Sequence, residues 1–118
     1  MKIIIPVEET KQNVCVSFGR APFFMLYDTE TEAVEYKDNP GANAQGGAGL
    51  KAAQAVVDSG AEILITIRCG ENAAEVFNAA GVEIYKASGE NAKENIRKFN
   101  EGKLGKLTSF HAGFQGIK

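Results

Sequence analysis

The sequence predicts an α/β domain in which one mixed five-stranded sheet is covered by helices. Three observations carry this reading. Ile3 to Val7 is an apolar, largely β-branched run of the kind buried on both faces of a central strand. Two strand–helix–strand units follow later in the chain, and their right-handed crossovers place those strands parallel to one another beside strand one. Between them, two strands joined by the short Asp28–Glu32 connection read as an antiparallel hairpin.

Each element has its own signal. Glu8 to Asn13 is polar and reads as a loop. Phe23 to Asp28, after Pro22, is the second strand, and Thr31 to Lys37 alternates with the period of a half-exposed third. Asp38 to Gln45, with Asn39, Pro40, Gly41 and Asn43, is a loop. From about Gly46 the pattern becomes helical, with Leu50, Ala53, Val56 and Val57 on one face and Gly60 at the left-handed end position. Glu62 to Ile67 is the fourth strand. Asn72, with Glu75 three residues on, predicts the start of a helix that packs Ala73, Val76, Phe77 and Ala80 and ends at Gly81. Val82 to Tyr85 is the fifth strand. Asn91 opens a last helix with Ile96, Phe99 and Ala92 on its buried side, ended by Gly102. Residues 1–107 form a single domain in this reading, and 108–118, with Gly113 and Gly116 and no clear period, form a tail expected to be mobile.

Bulk properties exclude several function classes. A chain of 118 residues can bury a core without disulfides or structural metal. A net charge of -2 with scattered lysines argues against nucleic acid, whose phosphates need clustered Lys and Arg. No apolar run approaches a membrane span, and the apolar start at Ile3 is too short for a signal segment. A cytoplasmic protein with two free thiols, Cys15 and Cys69, is the expectation.

Ligands of open α/β sheets bind beyond the carboxyl ends of the strands. Three segments are expected to meet there: Ser17 to Pro22, the glycine loop before helix one, and Arg68 to Asn72. The stretch Gly47-Ala48-Gly49-Leu50-Lys51-Ala52 matches G-x-G-x-x-A, yet no strand directly precedes it and no acidic residue ends a second strand at the required distance. Its physical content is simpler: glycines ahead of a helix leave backbone N–H groups for an anion, or allow a left-handed turn and close helix–sheet packing. Gly19 and Arg20 offer backbone and charge contacts, Gly47 and Gly49 the helix-terminus donors, and Arg68 a second cation. Cys69 stands between a buried strand and a helix, a place that lowers a thiol pKa and exposes the sulfur for a metal or cluster. Buried as a small apolar residue is its alternative. Cys15 and His111 complete the metal-ligand candidates, though without a CxxC one chain cannot close a structural site from these three. No G-x-S-x-G occurs, no histidine base is predicted beside Cys69, and strand one carries no carboxylate. A non-enzyme is the expectation.

Met1-Lys2-Ile3, Phe18-Gly19-Arg20-Ala21-Pro22-Phe23-Phe24, Asn39-Pro40, Gly46-Gly47-Ala48-Gly49 and Gly81-Val82-Glu83-Ile84-Tyr85 together resemble the dinitrogenase iron–molybdenum cofactor biosynthesis family. That family takes in NifX-like and NafY-like proteins, the C-terminal part of NifB and small stand-alone domains, of which the archaeal type looks most similar. The resemblance reaches to about Leu107. It implies a ribonuclease H-like three-layer α/β/α fold with strand order 3-2-1-4-5 and strand two antiparallel. It also implies a carrier of an iron–sulfur or iron–molybdenum type cluster, with a protein partner in cluster assembly. Many members have a histidine where this chain has Ser17, and histidine-rich tails where this chain has only His111. Two other readings stay open: a nucleotide- or phosphate-binding regulatory module on the same glycine loop, and a protein-interaction domain that uses the hairpin's sheet edge.

Overall fold

The computed structural model describes residues 1–108 and 110. The strands are β1 (Lys2–Val7), β2 (Phe23–Asp28), β3 (Val34–Asp38), β4 (Ile63–Thr66) and β5 (Glu83–Lys86); the helices are α1 (Ala48–Asp58), α2 (Glu71–Ala80) and α3 (Ala92–Asn100). The sheet order is β3-β2-β1-β4-β5. β2 runs antiparallel to both β1 and β3, whereas β1–β4 and β4–β5 are parallel. Element order, strand order and the antiparallel second strand are all as expected.

Strand alternation divides the core. Ile4, Phe24, Leu26 and Leu64 face Ala52, Ala53, Val56 and Phe77 of α1 and α2. Ile3, Ile5, Met25 and Ile65 face the other way, toward Ala92 and Ile96 of α3. Pro6 sits inside β1 without breaking it. Its carbonyl accepts from the Cys15 N–H at 2.8 Å, so its missing N–H points away from β2 and removes no bond from that ladder. Beyond this point β1 departs from β4, whose register with it covers only Ile3 and Ile4, and the 14–18 segment enters the space.

Several local expectations are corrected. β3 begins at Val34 rather than Thr31, because the Asp28 carboxylate accepts from Glu30 N–H at 2.8 Å and holds the preceding residues in a turn; at the sheet edge, it is exposed throughout. α1 buries Ala52, Ala53 and Val56, while Leu50, expected on the buried face, is 49% exposed in the first turn. α2 starts two residues earlier than Asn72 predicts: Gly70 is its cap residue, its carbonyl accepting from Ala74 N–H, and no side chain caps it. Ala80 is exposed and Val76 only partly buried. Asn91 does cap α3, accepting from Glu94 N–H at 2.9 Å. Phe110 packs against the α1/α2 side of the core. The remainder of the expected mobile tail, Ser109 and 111–118, lies outside the described residues. No helix among the described residues is long and apolar enough to cross a membrane.

Candidate functional site

Because β1 and β4 are parallel, their carboxyl ends lie together, and a Ser17–Arg68 parallel bridge prolongs the pairing past the strands. A cleft of about 560 Å³ opens there. Its walls come from Val16 to Arg20, from Gln45 to Leu50, and from Arg68, Cys69, Gly70, Asn72 and Ala73. The structure thus brings Gly19, Arg20, Gly47, Gly49, Arg68 and Cys69 to one cleft. Cys15 is half-buried and does not line it. His111 lies outside the described residues.

The cleft depends on backbone approaching backbone. A Cβ on Gly19 would meet Gly49 N at 3.2 Å, and one on Gly41 would lie 2.5 Å from the Ala48 carbonyl oxygen and 2.7 Å from that of Gly19. Side chains at these positions would force the walls apart. Gly19 therefore serves packing between the first loop and α1, as well as lining the cleft. Gly47 takes φ 67°, the left-handed conformation a glycine enters without a Cβ penalty, and turns the chain into α1.

Asn39, only 4% exposed, organises these loops, a role that neither its loop position nor its place in the Asn39-Pro40 motif predicts. Its Nδ2 lies 2.9 Å from the Ala21 carbonyl oxygen, 3.2 Å from that of Gly19 and 3.4 Å from that of Phe18. Its Oδ1 accepts from Gly41 N–H at 2.8 Å. The signal available in the sequence was Asn39-Pro40-Gly41, a turn signature whose Asn bonds two residues on. Arg20 donates from its guanidinium to the Ala44 carbonyl, and its N–H lies 3.2 Å from Ser17 Oγ. One cation is thereby anchored at the rim, and both Arg20 and Arg68 are exposed.

The electrostatics of the lining have one sign. Arg20 and Arg68 are its charged side chains, and no Asp or Glu is among the lining residues. The N-termini of α1 and α2 both open into it, at Gly47–Gly49 and at Gly70, Asn72 and Ala73; neither carries a side-chain cap, and α2 has the Glu71 carboxylate in its first turn, outside the lining. Uncapped first-turn N–H groups concentrate partial positive charge at each end. Of the two readings the sequence leaves open for Cys69, the structure matches the small buried residue. Its side chain is 1% exposed among Phe18, Phe77 and Ala73, and burial pushes the thiol up to about 12. The cause is desolvation of the thiolate, which disfavours its charged form. Among the described residues no three His, Cys, Asp or Glu side chains come together to hold a metal ion. The donors present suit an anion that brings its own ligands, not a metal ion enclosed by protein side chains.

Fold and cleft together define a three-layer α/β protein whose strand ends carry a pocket lined by positive and not negative groups. The chain belongs to the dinitrogenase iron-molybdenum cofactor family, whose model matches residues 1–102. It is similar to the orange protein of Desulfovibrio gigas in its apo form, at 30% identity and TM-score 0.84, with 92% of this chain and 93% of that one covered. A Thermotoga protein given a provisional NifB assignment is 40% identical with TM-score 0.78, over 92% of this chain and 95% of its own. An uncharacterized protein of Methanocaldococcus jannaschii is 31% identical over 110 residues, 91% of this chain and 92% of the relative.

Proposed function

We propose that the protein is a non-catalytic carrier that holds an iron–sulfur or iron–molybdenum type cluster as anionic cargo in the strand-end cleft. The observation that carries this reading is the lining: two arginines and two helix N-termini without side-chain caps, with no Asp or Glu among the lining residues, Glu71 in the first turn of α2 not being one of them. Fixed N–H groups and guanidinium donors stabilise negative charge without needing to reorganise. Arg68 and Arg20 supply charge, Gly47 and Gly49 supply backbone donors, and Cys69 stands at the wall as the nearest sulfur. Membership of the family supports a cluster as the kind of anion.

Anaerobic incubation with iron, sulfide and molybdate, followed by desalting and metal analysis, tests the reading. Wild type should retain metal with charge-transfer absorbance, and an Arg20→Gln/Arg68→Gln double variant should lose most of it. Equal, negligible metal in both overturns the proposal. The Cys69→Ala variant separates a thiolate bond from retention by charge alone. One observation favours a second reading, a nucleotide- or phosphate-binding module: left-handed Gly47 at a Gly47-x-Gly49 helix start beside the apolar Phe18 and Ala73. A nucleotide at about 100 times its dissociation constant should then add roughly 2.7 kcal/mol in a thermal-shift screen. No shift with any nucleotide removes that reading.

A further inference from the structure

β3 ends the sheet, and among the described residues no backbone group bonds to its outer side. Its direction of bonding follows from the register with β2. Asp28 N–H donates to the Ala33 carbonyl and Asn39 N–H to the Pro22 carbonyl, so the odd-numbered residues between them, Glu35 and Lys37, bond inward. Val34, Tyr36 and Asp38 therefore present N–H and C=O groups outward, a ready template for another strand. Two of the five exposed large apolar side chains among the described residues, Val34 at 37% and Tyr36 at 38%, lie on this one short strand.

Charged side chains ordinarily protect such an edge, since a lone Lys or Glu meets its own like across a two-fold axis. Here the pattern has the opposite effect. An antiparallel copy centred on Tyr36 pairs Tyr36 with Tyr36, Val34 with Asp38, and Glu35 with Lys37. The central pair is then of the hydrogen-bonded kind, as the outward direction of Tyr36 requires. The two Glu35–Lys37 pairs fall at the closer, non-hydrogen-bonded positions, where opposite charges attract. Within one chain these groups are 3.7 Å apart and well exposed, so both can also reach across.

We propose that the protein self-associates through β3, the two sheets joining antiparallel about a two-fold axis at Tyr36 with reciprocal Glu35–Lys37 pairs. The partner is a second copy of this chain, because charge order and bonding direction are both self-complementary about the same residue. Five residues a side make a small interface, and the dimer is weak and concentration-dependent. None of residues 34–38 lines the cleft, so cargo binding is independent of association.

Analytical ultracentrifugation of the full chain up to about 1 mM, with hydrogen exchange at low and high concentration, tests the proposal. Wild type should shift toward dimer, with added protection at the amides of Val34, Tyr36 and Asp38. Glu35→Lys alone and Lys37→Glu alone each turn both cross-strand pairs repulsive and should weaken association by about tenfold. Mixing those two variants should restore it as a heterodimer, and so should the exchanged E35K/K37E double variant. Tyr36→Pro removes an outward donor without touching the β2 ladder and should give a monomer; the exposed charge variants keep the test valid if that chain folds poorly. A wild type that stays monomeric overturns the proposal, and leaves the edge to a different protein strand or to none. Association insensitive to Glu35, Lys37 and Tyr36 overturns it equally, by placing the interface elsewhere.

Discussion

Asn39→Ala tests the claim that one buried amide holds the cleft together. The wild-type side chain engages the carbonyls of Ala21, Gly19 and Phe18 at 2.9, 3.2 and 3.4 Å and the N–H of Gly41 at 2.8 Å. Its amide has two N–H groups, so two carbonyl bonds and one accepted bond are the full-strength complement. Removing them leaves buried backbone groups unpaired, at about 1–3 kcal/mol each when water cannot enter. Allowing for partial hydration, the expected loss is about 3 kcal/mol, or roughly 10 °C in melting temperature for a domain of this size. Chemical denaturation of both chains measures it. A loss under about 1 kcal/mol refutes the reasoning, because exposed turn asparagines behave that way.

The Asn39→Asp variant adds a signed check. A carboxylate there faces carbonyl oxygens, so its charged form is disfavoured in the fold and its pKa rises above the unfolded value of about 3.9. With the folded pKa raised, stability is retained below that unfolded value and lost as pH climbs through the folded one. The variant should approach wild type at low pH and fall away toward neutrality. A variant whose deficit is the same across that range would falsify the electrostatic part of the account.

Three further outcomes follow from the same geometry. Gly41→Ala places a Cβ against two backbone oxygens and should destabilise by about 1–3 kcal/mol while weakening anion binding, whereas Gly46→Ala, with nothing within 4 Å, should stay within about 0.5 kcal/mol in denaturant titrations. Cys69 should resist iodoacetamide at pH 8 while half-buried Cys15 reacts, both labelling once unfolded; and because burial raises the Cys69 thiol from its ordinary 9.0 to about 12, stability should drop as pH rises through that interval, a slope absent from Cys69→Ala. Asn95→Ala removes a buried side chain that accepts from Ser88 N–H at 2.7 Å and donates to Asn91 and Gly89, so it should cost about 2–3 kcal/mol in thermal melts yet leave the cleft's affinity unchanged.

Elements with strong local signals were legible: the apolar β1 and β4, the Asp28–Glu32 turn, and the Asn91 cap each act within a few residues. The strand order needed more than periodicity and came with the family resemblance. Sequence logic failed where distant groups decide. Asn39 looks like a surface turn residue until the carbonyls of 18, 19 and 21 close over it. Gly41 looks replaceable until Ala48 and Gly19 approach it from two sides. Position alone left Cys69 between an activated thiol and a buried one; its place in one buried cluster with Phe18 and Phe77, from distant parts of the chain, decides for the second. Leu50 fits an apolar stripe, yet its turn of α1 overhangs the cleft rather than the sheet.

These misses share a cause that bears on the proposed carrier role. The cleft is built from backbone: Gly19 against Gly49, Gly41 against Ala48, and carbonyls gathered by Asn39. Folding itself meets the cost of ordering those loops, so an arriving anion finds its donors already aimed and loses little further freedom in binding. In the proposed carrier role, such a site would draw its affinity from fixed dipoles and two guanidinium groups rather than from bonds that must be broken on release. An anionic cargo held by charge in this way is retained in the cleft yet leaves without covalent change to the protein, which is what passing it onward requires.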